Sequence, residues 1–184
     1  MRRTGTGRSG ARRLGGPQLR RLALVTVIAV ACAAAASAHA RELVPFDPGI
    51  DPGTVVVRTG ERRLYLVAER GAALAYPVAV GKPGKQWFGW AAIDGKHVEP
   101  AWSPPDEVAR DNPRLPRVIP GGSSSNPMGA RALTLNRGEY AIHGTNRPGS
   151  IGTYASYGCI RMHNRDIVDL YMRVRVGTPV VVLR

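Results

Sequence analysis

Apolar residues along this chain change rhythm from one stretch to the next, and each change predicts an element. Leu22 to Ala36 is a near-continuous apolar run rich in Ala and Val. From residue 54 onward the apolar runs are short and bounded by turn residues. Thr54–Arg58 (TVVVR) is β-branched and predicts a strand. Thr59–Arg62 has turn chemistry, and Arg63–Val67 predicts the hairpin partner. Ala73–Val80 predicts a third strand, which Pro77 places at an edge or a bulge. Arg131–Leu135, Tyr140–His143 and Pro179–Leu183 predict further strands. One stretch only has the helical period: Ile167, Leu170, Tyr171 and Val174 fall on one face. Asn164 is its expected N-cap, and Asp166 in the first turn suits the helix dipole. Gly177 ends this unit.

Between these elements, Gly81 to Pro127 reads as one long irregular loop carrying Trp87, Trp90 and Trp102. Loops of that length usually have a function, and tryptophans argue against disorder. Asp106–Asp111 allows a single helical turn inside it, and Ser123–Ser125 reads as lid or loop. Residues 41–53 carry prolines and glycines and read as a linker. Many strands with one real helix imply a mostly β sandwich or barrel.

The 184 residues suit one domain. The leading 40 residues differ from the rest: they hold seven arginines and no acid, then the apolar run, then Ala38-His39-Ala40. Basic region, short apolar region and small-x-small site together predict a secretory signal peptide over 1–40. An uncleaved anchor, or lipidation at Cys32, would be the alternatives. Cutting there changes the charge. The chain has a formal charge of +13, from 26 basic and 13 acidic residues; without the 7 leader arginines, 19 against 13 leaves +6. That surplus calls for no nucleic acid and would suit an anionic envelope polymer.

The cysteines are Cys32 and Cys159, so the exported part holds a lone thiol, which is a liability or a reactive group. A cysteine needs a base or a positive neighbour to become thiolate near neutral pH. His143, at the end of an apolar strand, is the partner of the right kind. Gly158 lets the backbone approach a substrate closely, and the amides of Gly158 and Cys159 are candidates for an oxyanion hole. Taken alone, a Cys and a His sixteen positions apart are weak evidence, and an inert buried thiol with a satisfied loop histidine is the default reading. His97 and His163 read as surface histidines. No Cys/His cluster has metal-ligand spacing, so no metal and no cofactor are expected.

The stretch His143-Gly144-Thr145-Asn146 with Ser156-Tyr157-Gly158-Cys159-Ile160-Arg161-Met162 closely resembles the active-site signature of the L,D-transpeptidase (YkuD) family. The likeness extends over about residues 54–183. It takes in the opening hairpin, Gly81-Lys82-Pro83-Gly84, Asn126-Pro127-Met128-Gly129 and Gly177-Thr178. The resemblance implies a catalytic domain over 54–184 with the family's β-sandwich and one short helix near the cysteine. It implies Cys159 as nucleophile, His143 as general base and the Gly144 carbonyl as the group orienting that histidine. Arg161, Asn146, Tyr157 and Ser156 are implied to bind substrate or support the loops. The implied substrate is a peptidoglycan stem peptide, cross-linked through a cysteine acyl-enzyme. The implied location is the periplasm or cell envelope, as a monomer without membrane insertion once the leader is cut. An L,D-carboxypeptidase, a protein-anchoring enzyme and a non-enzymatic wall-binding module stay open beside this. Two departures stand out: Tyr157 replaces a common family histidine, and Lys85-Gln86-Trp87-Phe88-Gly89 replaces a common Thr-Pro-Thr-Gly segment.

Overall fold

A computed structural model describes residues 42–184. The leader expected over 1–40, with the alternative at Cys32, lies outside the described residues. The strands are β1 (Glu42–Pro45), β2 (Val55–Arg58), β3 (Arg63–Glu69), β4 (Ala72–Gly81), β5 (Gly89–Val98), β6 (Arg131–Leu135), β7 (Ala141–His143), β8 (Tyr154–Ser156), β9 (Ile160–Met162) and β10 (Pro179–Leu183). The helices are α1 (Asp106–Asp111) and α2 (Asn164–Arg173). The fold is thus mostly β, as expected.

Hydrogen-bonded neighbours run β1-β4-β3-β2-β10-β5-β6-β7-β9, and β9 pairs back onto β4. Two ten-residue strands make this closure possible by serving both layers. β4 pairs with β3 as far as Pro77, then with β9 through Val78 and Ala79. Proline has no N–H to give to a ladder, so it sits where the strand changes partner. β5 pairs with β10 over Gly89–Ala92 and with β6 over Ile93–Val98, with a register shift between Ile93 and Gly95. Strands that cross between packed sheets commonly do so at such a bulge.

The main core lies between the layers. Alternate residues enter it: Val55 and Val57, Leu64 and Leu66, Val180 and Val182. The intervening Val56, Tyr65 and Val181 are also buried, in a second cluster with Phe46. That second cluster corrects the reading of 41–53 as a linker. β1 pairs antiparallel with β4, and Phe46 with Val44 and Ile50 cover the outer face of the β2–β3 hairpin. An all-apolar strand such as Val55-Val56-Val57 needs cover on both faces, and this segment supplies it. The ring of Phe46 lies 4.9 Å from that of Tyr65.

α2 buries Ile167 and Leu170, with Val174 just beyond it, on the expected face. Its cap differs from expectation. The N-cap position is His163, without a side-chain cap bond, and Asn164 is the first helical residue. β5 was also missed, because it lies inside the stretch read as irregular loop. Gly89, Asp94, Gly95 and Lys96 erase its alternation, and the bulge shifts its phase halfway.

Candidate active site

β7 and β9 lie side by side and parallel, with Ile142 opposite Ile160 and His143 opposite Arg161. Ile142 and Ile160 are fully buried in the main core. Side chains alternate along a strand, so Cys159, His143 and Arg161 take the other face. The register of two short strands therefore sets the three on one face, where the charge of Arg161 acts on both the imidazole and the thiol. His143 is buried at 4% exposure, and Cys159 and Arg161 are half-buried.

The imidazole is fixed by its own loop: Nδ1 lies 2.7 Å from the Gly144 carbonyl. Since a carbonyl only accepts, Nδ1 carries a proton and Nε2 of the neutral ring is the basic nitrogen. Burial, and then the charge of Arg161, lower the His143 pKa from 6.5 to about 4, against the opposing pull of the Gly144 and Pro127 carbonyls. The imidazole is thus neutral across the ordinary pH range. Burial raises the Cys159 thiol above its usual value, while the Ala141 backbone and Arg161 pull it down. Among the described residues, Sγ hydrogen-bonds the Glu139 carbonyl at 3.8 Å, and no hydrogen bond joins it to His143. The resting pair is therefore thiol and neutral imidazole. A half-buried site disfavours charge on both partners.

The turn before the cysteine is closed by Ser156. Its hydroxyl donates to the Cys159 carbonyl at 2.6 Å and accepts the Gly158 N–H at 3.1 Å. The Gly158 amide is thereby occupied, which corrects its expected place in an oxyanion hole; from the expected pair, the Cys159 N–H remains. The glycine is required for another reason. Its φ is +126°, and a Cβ there would lie 2.3 Å from Cε1 of Tyr140. Tyr140 stacks on Trp87 with centroids 5.3 Å apart, and Trp87 Nε1 donates to the Gly158 carbonyl at 3.0 Å. Trp87 therefore props the cysteine loop from the segment that departs from the family pattern. Trp90 is 64% exposed.

The strand-end loop after His143 is tied down by Asn164. Its Oδ1 accepts the Ala130 N–H at 3.1 Å and the Thr145 N–H at 3.0 Å, and its Nδ2 donates to the Thr145 carbonyl at 3.1 Å. Gly129 and Gly144 enclose it, since a Cβ on either would lie 2.1 or 2.2 Å from Oδ1. Sequence reading assigned Asn164 to the helix and missed this role. Only its run of helix-start residues was visible, and that signal points to a cap. Asn146 Nδ2 donates to the Ser125 carbonyl at 2.9 Å, so its side chain joins two loops. Tyr157 lies beside the cysteine loop with its hydroxyl 2.5 Å from Asp111 Oδ2. His97 is exposed and His163 half-buried. Among the described residues no group of His, Cys, Asp and Glu could hold a metal ion.

Comparison with known proteins gives the same direction. The family model described as L,D-transpeptidase catalytic domain (YkuD) matches residues 52–182. The probable L,D-transpeptidase YbiS of Escherichia coli K12 is 37% identical over 134 residues, covering 68% of this chain and 43% of that protein. The putative L,D-transpeptidase YkuD of Bacillus subtilis is 36% identical over 138 residues, covering 75% of this chain and 70% of that protein. The chain thus spans less than half the length of some curated relatives. Among solved structures, L,D-transpeptidase 3 of Mycobacterium tuberculosis superposes with a TM-score of 0.56 at 15% identity, over 71% of this chain and 60% of that one. A mutant L,D-transpeptidase of Enterococcus faecium gives 0.58 at 17% identity, over 73% and 50%. These structures share the fold. With a family model covering most of the described residues and relatives above one-third identity, the chain belongs to the YkuD L,D-transpeptidase catalytic domain family.

Proposed function

We propose that this protein is an exported L,D-transpeptidase that cross-links or remodels peptidoglycan stem peptides through an acyl-enzyme on Cys159. The observation that carries the reading is the β7–β9 register. It gives Cys159 a neutral histidine on the adjoining strand, with that ring fixed through Nδ1 by the Gly144 carbonyl.

In the proposed cycle, His143 Nε2 takes the thiol proton as Sγ turns from the Glu139 carbonyl toward the scissile carbonyl. A C–S bond forms at the amide between the third stem residue, a diamino acid, and the terminal D-residue. The Cys159 N–H faces the developing oxyanion. The C–N bond then breaks, the imidazolium returns its proton to the departing amine, and a D-amino acid leaves. An amine from a second stem attacks the thioester, gives up a proton to His143 and frees the thiolate. Arg161 favours the thiolate electrostatically and disfavours a resting imidazolium. The neutral resting pair means that ionisation belongs to the acylation step itself, where general-base help is worth roughly 10²–10⁴-fold.

An L,D-carboxypeptidase or a protein-anchoring enzyme would use the same acyl-enzyme with another acceptor. A wall-binding module would need no intact Cys159–His143 pair. Incubation with a defined disaccharide-tetrapeptide, read by product mass, separates these. Dimeric muropeptide supports the proposal, tripeptide would mean a carboxypeptidase, and no turnover would leave a binder. A carbapenem should add once to wild-type protein and not to Cys159→Ser, because an alcohol is a far weaker acid than a thiol. An adduct surviving that substitution would remove Cys159 as the nucleophile.

A further inference from the structure

The crossover between β5 and β6 carries α1, and α1 buries none of its side chains. Val108 and Ala109 are half-buried, and the contacts that tie the helix to its neighbours by name are polar. Glu107 and Asp111 lie four residues apart, on one helical face. Glu107 pairs with Lys85, and Asp111 lies 3.8 Å from Lys82 Nζ. Both lysines belong to one turn, in which the Lys85 N–H donates to the Lys82 carbonyl at 2.9 Å. That turn is itself fixed to the cysteine loop, since the Lys82 N–H donates to the Ser156 carbonyl at 2.9 Å. The final contact falls on the cysteine loop directly. Tyr157 donates its hydroxyl to Asp111 Oδ2 at 2.5 Å, and Lys82 Nζ sits 3.7 Å from the Tyr157 ring centroid. Exposed ion pairs hold weakly, and a segment with no fully buried side chain belongs to the least stable part of a fold. A charge-assisted hydrogen bond is the strongest of these contacts in kind.

We infer that Tyr157, together with Asp111, is a positioning residue of the acyl-transfer site: their hydrogen bond docks α1 against the cysteine loop and narrows access to Cys159 from that side. Its catalytic meaning rests on the proposed function, whereas the docking and the narrowed access do not. Tyr157 stands two residues from Cys159, so an undocked α1 leaves that side of the loop bare. The latch also gives the tyrosine a task that another N–H or O–H donor of similar reach can perform. Histidine is such a donor, and phenylalanine is not.

The test uses the full chain and reads alkylation at the Cys159 peptide by mass, which keeps Cys32 out of the measurement. Two maleimides of the same chemistry are compared, N-methylmaleimide and one bearing a bulky dye. In Tyr157→Phe the bulky-to-small rate ratio should rise by about fivefold, as for loss of one exposed polar contact. Asp111→Ala removes the acceptor together with the Lys82 contact and should raise the ratio at least as much, and Tyr157→Phe should add nothing further in that background, since the hydrogen bond is already gone. Tyr157→His should restore the wild-type ratio. With the stem tetrapeptide as donor, Tyr157→Phe should raise KM while the first-order acylation rate stays close to wild type. An unchanged ratio in Tyr157→Phe and Asp111→Ala, a further rise from Tyr157→Phe in the Asp111→Ala background, or equal behaviour of the Phe and His variants would overturn the latch. Alkylation needs only a thiol, so the access measurement decides the latch even if the stem peptide never acylates the wild type. That failure would sink the proposed function instead.

Discussion

The buried, neutral His143 should leave a signature in stability against pH, and the sign follows from its position. In the unfolded chain a histidine titrates near 6.5, and in the fold His143 titrates at about 4. Between those values the unfolded state binds more protons, so folding stability rises with pH. The contribution is fully present above the unfolded pKa and is lost as pH falls from about 6.5 toward 4. A displacement of that size corresponds to about 3 kcal/mol in all, of which about 2 kcal/mol should disappear between pH 7 and pH 5. The perturbation is His143→Gln, which keeps a neutral polar side chain of similar reach and removes the titration. Urea unfolding of both proteins at fixed ionic strength, at intervals from pH 7 to pH 5, gives each free energy by linear extrapolation. Other carboxylates and histidines titrate alike in both proteins, so the difference isolates this residue. The wild type should lose about 2 kcal/mol more than the variant across that range. Parallel curves, or a variant that loses more, would refute the argument that burial holds this imidazole neutral.

Replacing His143 by Ala should leave the fold in place and slow acylation by roughly 10²–10⁴-fold; wild-type rates at neutral pH would rule it out as the base. Gly158→Ala meets both a positive φ and the Tyr140 ring, so it should cost about 1–3 kcal/mol and depress acylation; wild-type melting and turnover together would contradict the account of that turn. Export with cleavage after Ala40 predicts a mature N-terminus at Arg41, and N-terminal sequencing that finds an intact leader or a lipidated Cys32 would reverse it.

Sequence alone exposed those elements whose signal is local. The β2–β3 hairpin shows in two short apolar runs, the first β-branched, on either side of a turn, and α2 in its spacing of Ile167, Leu170, Tyr171 and Val174. β5 was hidden because its hydrogen bonds go to two different partners, and each half is too short and too polar to show a period. β1 was hidden because prolines and glycines surround it and its cover of Val56 is visible only in three dimensions. The site divides in the same way. Cys159 and His143 stand in a dense motif, whereas Asn164 and Asp111 act through partners many residues away. Local sequence chemistry gave Asn164 the nearer job of a cap, and long-range hydrogen bonds gave it another. The electrostatics were also out of reach, since a thiol's environment depends on burial that no motif encodes.

The enclosure of Asn164 by Gly129 and Gly144 links the mutational fates of positions distant in the chain. A methyl group on either glycine competes for the space that Oδ1 occupies. Loss of the asparagine in turn strands the Ala130 and Thr145 amides that it holds. These three positions therefore form an epistatic unit. Gly144→Ala should be far more harmful beside Asn164 than beside a smaller residue, whereas Gly129→Ala should stay harmful in either background, because its Cβ would also meet the Thr145 amide nitrogen at 2.5 Å. Drift through this region is then confined to concerted moves. A library randomising the three positions together should recover folded combinations that no series of tolerated single changes can reach.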